Sequence, residues 1–166
     1  MAGKGNQILD AATIQKKLKR MALEILEKNG GEKEIILAGI KENGSVVAEN
    51  IRSYLAELSP VKTPLIHITL DKRQPGKIML SDTPELNNKV VLIIDDVSNS
   101  GKTLLYALKP FLDHQAKSIQ TLVLVERRHN SFPVHPDYVG LSIATTLQEH
   151  ITVEVDGENI TGAYLR

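Results

Sequence analysis

The sequence predicts an α/β fold with a mostly parallel central sheet flanked by helices. Apolar runs of strand length alternate with amphipathic stretches of helix length along most of the chain. The strongest run, KVVLIIDD at residues 89–96, is apolar without alternation, as in a strand covered on both faces. At 166 residues, 42% of them hydrophobic, the chain is sized for a single domain over residues 1–166 with one packed core.

Each element follows from its local pattern. Residues 1–9 are Gly-rich and expected to be loose. Asp10 or Thr13 caps a helix running to about Lys28, with Ile14, Leu18, Met21, Ile25 and Leu26 at helical spacing. Asn29-Gly30-Gly31 stops it. EIILAGI at 34–40 reads as a strand and KENG as a tight loop. Residues 45–58 form a second helix, with Val46, Val47, Ile51, Tyr54, Leu55 and Leu58 on one side, ended by Ser59-Pro60. PLIHITL at 64–70 is a strand rich in β-branched residues. Residues 71–88 are the least regular stretch, a flexible lid or a long connection. After the 89–96 strand a helix reaches about Asp113, with Leu104, Leu105, Leu108, Phe111 and Leu112 facing inward. SIQTLVLVE at 118–126 is a strand, RRHNSFPVHP a loop, and LSIATT and ITVEV two short candidate strands. There is no internal repeat.

Composition narrows the function classes. Lys plus Arg and Asp plus Glu number 20 each, which gives no support for general nucleic-acid binding. There is no Cys, hence no disulfide framework and no thiolate metal site. MAGKGNQILD lacks the apolar core of a secretory signal, and no apolar run approaches the ~20 residues that span a bilayer. The expectation is a soluble cytoplasmic protein. His114, His129, His135 and His150 lack metal-ligand spacing on one helix. His67 alternates with Ile66 and Ile68 on a strand, so structural or solvent roles are expected.

The chemistry concentrates in residues 91–103, VLIIDDVSNSGKT. Asp95 and Asp96 stand at the C-terminal end of a buried strand, where open α/β sheets bind ligands. A Gly-containing polar loop then enters a helix, so free backbone N–H groups face an anion. Ser98, Ser100 and Thr103 add hydroxyl donors, and Gly101 permits a sharp turn close to the ligand. The loop suits a phosphate monoester; like charge forbids the carboxylates from sharing it. They need hydroxyl donors or a cation, and a sugar phosphate with Mg²⁺ satisfies both halves. Asp96 to Thr103 also reads as a P-loop without its first Gly. Asp96 in that place would set negative charge beside a polyphosphate, which argues against an NTPase.

These residues resemble the signature for 5-phosphoribosyl-1-diphosphate (PRPP) in type I phosphoribosyltransferases. The similarity extends to the pyrimidine operon attenuation regulators that double as uracil phosphoribosyltransferases. ILDAATIQKKLKRMALEILEKN, ILAGIKENG, IHITL and SIQTLVLVERRHNSFPVHPDYVG resemble successive segments of that family, in order, over most of residues 8–155. The resemblance implies a small hood over the sheet, a flexible loop, a homodimer or larger assembly, and transfer of a 5-phosphoribosyl group to a nucleobase. Uracil is favoured, with UMP as the product. It places Asp95 and Asp96 on the ribose hydroxyls, with Mg²⁺ held there indirectly through water or the hydroxyls. It places Ser98, Asn99, Ser100, Gly101, Lys102 and Thr103 on the 5-phosphate. Lys41, Glu42, Asn43 and Gly44 would form the pyrophosphate turn, and Lys72 and Arg73 would close over it. Arg127 would help place the leaving group or the metal shell.

The chain departs from that pattern in places. Asn43 stands where the family has Arg, the flexible loop is shorter, and Ser98, Asn99 and Lys102 change the rim of the phosphate loop. An RNA partner is also implied, but Asn130, His135 and Leu141 replace cations, leaving Lys19, Arg20 and Arg128. Two other readings remain beside uracil transfer. One is a regulatory nucleotide-binding protein with weak catalysis; the other is a salvage transferase for hypoxanthine or guanine.

Overall fold

The structure, a computed structural model, describes residues 5–146 and 148–166. Its elements in chain order are β1 (Asn6–Asp10), α1 (Ala11–Lys28), β2 (Ile35–Ile40), α2 (Asn43–Leu58), β3 (Leu65–Thr69), β4 (Met79–Leu80) and β5 (Val90–Ser98). Then follow α3 (Lys102–Leu108), a 3₁₀ turn at Lys109–Phe111, β6 (Ser118–Arg127), β7 (Tyr138–Ile143), β8 (Ile151–Asp156) and β9 (Asn159–Leu165).

The main sheet has the order β4-β3-β2-β5-β6-β7 and is parallel except for β4. Its central strands are apolar throughout because both faces are covered. Leu37, Leu92 and Ile94 pack with Ile14, Leu18, Val47 and Ile51 of α1 and α2. The intervening Ile36, Ala38, Val91 and Ile93 pack with Leu104 and Phe111 on the other face. This is the mostly parallel α/β sheet expected from residues 89–96.

Beside it lies a small antiparallel sheet, β1-β9-β8, the hood. Residues 6–9, expected to be loose, are instead paired along β9, with Gln7 opposite Tyr164 and Leu9 opposite Ala163. Residues 1–4 of that expectation lie outside the described residues. Asp10 caps α1, its carboxylate accepting from the Thr13 N–H at 2.7 Å. The third helix is shorter than expected. Pro110 has no N–H to continue the ladder, so the chain tightens into a 3₁₀ turn. Leu112, expected to face inward, is therefore thrown into solvent at 66% exposure. None of the described helices is long and apolar enough to cross a membrane.

Candidate functional site

The chain runs from β2 leftward to β3, then returns to place β5 on the other side of β2 and continues rightward through β6 and β7. The loops leaving β2 and β5 thus diverge at a topological switch point, the place where open α/β sheets form a crevice. A cleft of about 370 Å³ opens there. Asn43, Lys72, Asp96 to Leu104, and Ile151, Thr152 and Val153 line it.

Asp95 lies at its floor, 1% exposed, and Asp96 at its surface, 9% exposed. The Asp96 N–H donates to Asp95 Oδ1 and the Val97 N–H to Asp96 Oδ1, both at 2.8 Å, which fixes the two carboxylates in turn. Lys72 Nζ is 3.3 Å from Asp95 Oδ1 and 3.9 Å from Asp96 Oδ1. Asp71 fixes the local turn that carries Lys72, its Oδ1 accepting from the Arg73 N–H at 2.9 Å. Burial pushes the Asp95 carboxyl well above the usual carboxylate range; the neighbouring Asp96 charge adds to the push and the Lys72 ammonium opposes it.

The loop after β5 wraps one end of the cleft. Gly101 sits at φ +87°, a left-handed turn that residues with a Cβ resist. The Ser100 carbonyl accepts from the N–H groups of Ser131 and Phe132, each at 3.0 Å, so the outer side of the loop is held by the 131–134 segment. The Lys102 N–H donates to Ser100 Oγ at 3.3 Å. Ser98 Oγ is the one buried side-chain polar atom left without a partner among the described residues. Ser98 also lines the cleft.

Of the expected site residues, Asn43, Lys72, Asp96 and Ser98 to Thr103 share this cleft, with Asp95 directly beneath. Gly44 packs against β5: a Cβ there would stand 2.8 Å from the Ile94 carbonyl oxygen and 3.0 Å from Asp95 Cα. Lys41, Glu42, Gly44 and Arg73 do not line the cleft, and neither does Arg127. The Arg127 guanidinium is buried, with Nε donating to Thr145 Oγ1 and Nη2 to the Thr146 carbonyl at 2.6 Å. It holds the segment between β7 and the hood. The wall made by Ile151, Thr152 and Val153 was not among the expected site residues. ITVEV carries no catalytic group, and only its place opposite β5 makes it part of the site.

His67, expected in a structural or solvent role, has Nδ1 2.8 Å from Ser45 Oγ at the start of α2. No cluster of three or more His, Asp or Glu able to hold a metal occurs among the described residues. The carboxylate pair nonetheless fits Mg²⁺, which prefers hard oxygen donors and takes most of its ligands from water and substrate phosphates. The Lys72 ammonium beside the pair shows that its field holds a cation there.

A family model for the phosphoribosyl transferase domain matches residues 4–157. The Bifunctional protein PyrR of Oceanobacillus iheyensis is 34% identical over 168 residues, covering 94% of this chain and 93% of the relative. The protein of the same name from Clostridium perfringens is 34% identical over 170 residues, covering 95% and 96%. Among solved structures, the hypoxanthine phosphoribosyltransferase of Trypanosoma cruzi superposes with a TM-score of 0.80 over 98% of both chains, at 17% identity. The hypoxanthine-guanine phosphoribosyltransferase of Bacillus anthracis gives 0.73 over 85% of this chain and 84% of that one, at 22% identity. At such identities the structures speak for the shared fold alone. The matched domain and the near-full-length relatives speak for more: the chain belongs to the phosphoribosyltransferase family.

Proposed function

We propose that the protein transfers the 5-phosphoribosyl group of PRPP to uracil, giving UMP and pyrophosphate. The observation that carries the reading is that acidic and anion-binding groups share one cleft. Asp95 and Asp96 stand beside the Ser98–Thr103 loop, with the cationic Lys72 between them and solvent. The loop amides and hydroxyls clasp the 5-phosphate. The carboxylates accept from the ribose hydroxyls. Uracil N1 then bonds to ribose C1 as the C1–O bond to pyrophosphate breaks; the electron pair leaves with pyrophosphate, and the N1 proton passes to solvent.

Positive charge builds on the sugar in the transition state while negative charge grows on the leaving group. Backbone groups of the turn at Lys41–Gly44 receive the pyrophosphate while the Asn43 side chain is held on Val153, and Lys72 and Arg73 move onto the leaving group, neutralising charge and excluding water. Asp95 and Asp96 would hold Mg²⁺ through water or the ribose hydroxyls, and the ion would supply charge neutralisation to the leaving pyrophosphate. The uncharged acceptor takes the side walled by Ile151 and Val153. A cytoplasmic location and a homo-oligomeric state belong to the same proposal.

A second reading is regulatory, with RNA as partner, and the word "bifunctional" in the relatives' name favours it. Two of the cations that could serve it are already engaged. Arg20 donates to the Val139 and Gly140 carbonyls, and Arg128 to Ser142 Oγ.

Assays of uracil, hypoxanthine and guanine with PRPP and Mg²⁺ test the reading. Uracil is expected to be the turned-over base, and D95N/D96N to lose activity by at least about 10²-fold, the loss typical of one preorganised group. Turnover unchanged in the double variant would remove the site assignment. Failure of every base, with UMP binding retained, would favour the regulatory reading.

A further inference from the structure

We propose that Asn43 is a positioning residue for the acceptor base, fixing the hood wall rather than gripping the leaving group; the inference rests on the function proposed above. Asn43 is the first residue of α2, and its backbone is tied to the floor of the cleft through Gly44, which lies against Ile94 and Asp95. Its side chain turns the other way: Nδ2 donates to the Val153 carbonyl at 2.9 Å. Val153 belongs to β8 and, with Ile151 and Thr152, forms the wall of the cleft.

Asn50 repeats the device two turns along the helix. Its Nδ2 donates to the Glu158 carbonyl at 3.0 Å, at the far end of the β8–β9 hairpin. Residues seven apart lie on one face of a helix, so α2 fastens the hood at two points. Of the two, only Asn43 lies in the cleft.

The chemistry of the cleft says what that fastening serves. Phosphate, diol and pyrophosphate all demand charged or strongly polar partners. The planar, uncharged base suits the side walled by Ile151, Thr152 and Val153, where no charged side chain lines the cleft. The Asn43–Val153 hydrogen bond sets the distance between that wall and the sugar-binding carboxylates. A neutral acceptor of few atoms has little other means of being held at reacting distance from ribose C1.

Asn43→Ala removes the donor, and Asn43→Leu removes it while keeping the size of the side chain and adding no charge to the cleft. Both are compared with the wild type by steady-state kinetics and by backbone amide exchange. Loss of one hydrogen bond predicts a rise in the uracil KM of about tenfold. The PRPP KM and inhibition by pyrophosphate are expected to stay unchanged, and amide exchange at residues 151–155 to rise while β5 stays protected. A higher PRPP KM or weaker pyrophosphate inhibition, with 151–155 exchange unchanged, would make Asn43 a leaving-group ligand and overturn the proposal. If the wild type turns over no base, the proposed function fails. The exchange comparison still decides whether Asn43 holds the hood, and unchanged exchange in both variants would sink that role.

Discussion

At the scale of single residues, the site depends on close approach. Gly44 lets α2 sit directly on the end of β5, where any Cβ would meet the Ile94 carbonyl at 2.8 Å and Asp95 Oδ1 at 3.0 Å. Those neighbours are a backbone carbonyl in a central strand and a carboxylate locked by its own hydrogen bonds, so they yield poorly. Gly44→Ala is expected to cost about 1–3 kcal/mol of stability, as overpacking does, and to weaken PRPP binding by tilting Asp95; urea denaturation and PRPP titration check the two together. Away from the cleft, Tyr138 shows a residue-scale effect of pH. It is buried, and its hydroxyl donates to Gln120 Oε1 at 2.7 Å. Burial pushes the phenol up to about 12, against a hydrogen bond from Asn29 that pulls it down. An unfolded tyrosine ionises near pH 10. Between about pH 10 and 12 the folded chain therefore binds the extra proton, and stability falls as pH rises through that window. Tyr138→Phe should cost about 1 kcal/mol at neutral pH through the lost hydrogen bond. Denaturation curves should show that deficit shrinking above pH 10, because the variant lacks the alkaline loss.

At the scale of elements, what could be read from the sequence is what local pattern determines. The strand carrying Asp95-Asp96, the polar loop and the start of the next helix follow one another directly, β5 and then the loop up to α3, and their order alone puts a carboxylate pair beside a polar loop. The two helices α1 and α2 were legible because their apolar spacing persists over several turns. What could not be read is pairing between distant segments. β1 is a strand only because β9, more than 140 residues later, lies beside it. NITGAYL has no strong alternation of its own to announce this. The strand expected at LSIATT begins earlier, at Tyr138, because the pairing of Leu122 with Tyr138 recruits residues that the sequence assigned to no element. The expected helix ran through Pro110 to about Asp113, whereas Pro110 ends the regular ladder, and Leu112 was misplaced for that reason. In the candidate site, the grouping of Lys72, Asp96 and the Ser98–Thr103 loop was legible from polar residue types, although Lys41, Glu42, Arg73 and Arg127, equally polar, do not line the cleft. The wall of Ile151 to Val153 and the Asn43 hydrogen bond were not legible, because each exists only where the hood meets the main sheet.

At the scale of the whole molecule, charge balance conceals a local arrangement. Positive and negative side chains are equal in number over the chain, yet the cleft gathers two carboxylates, one of them 1% exposed, around a single ammonium. Lys72 reaches that ammonium position from the end of β3, across β2, to β5. It is the only cation paired with either carboxylate among the described residues. Lys72 thus stabilises the carboxylate pair by placing an ammonium where the proposed Mg²⁺ would be held. Removing the ammonium leaves a buried carboxylate beside a second one with no counter-charge. A fully buried pair broken in this way would cost about 3–5 kcal/mol. The Lys72 side chain is 45% exposed, so screening reduces the expected cost to about 1–2 kcal/mol. For a domain of this size each kcal/mol moves Tm by about 2–4 °C, so ligand-free Lys72→Met should melt about 2–8 °C below the wild type. Added Mg²⁺ with PRPP should narrow that gap, because a bound cation restores the missing charge in the variant while in the wild type it must first displace the lysine. Thermal melts with and without the pair of ligands read both effects. Equal melting of the two ligand-free proteins would mean that the Lys72–Asp95 contact is incidental and that the carboxylates are held in place by their backbone hydrogen bonds alone.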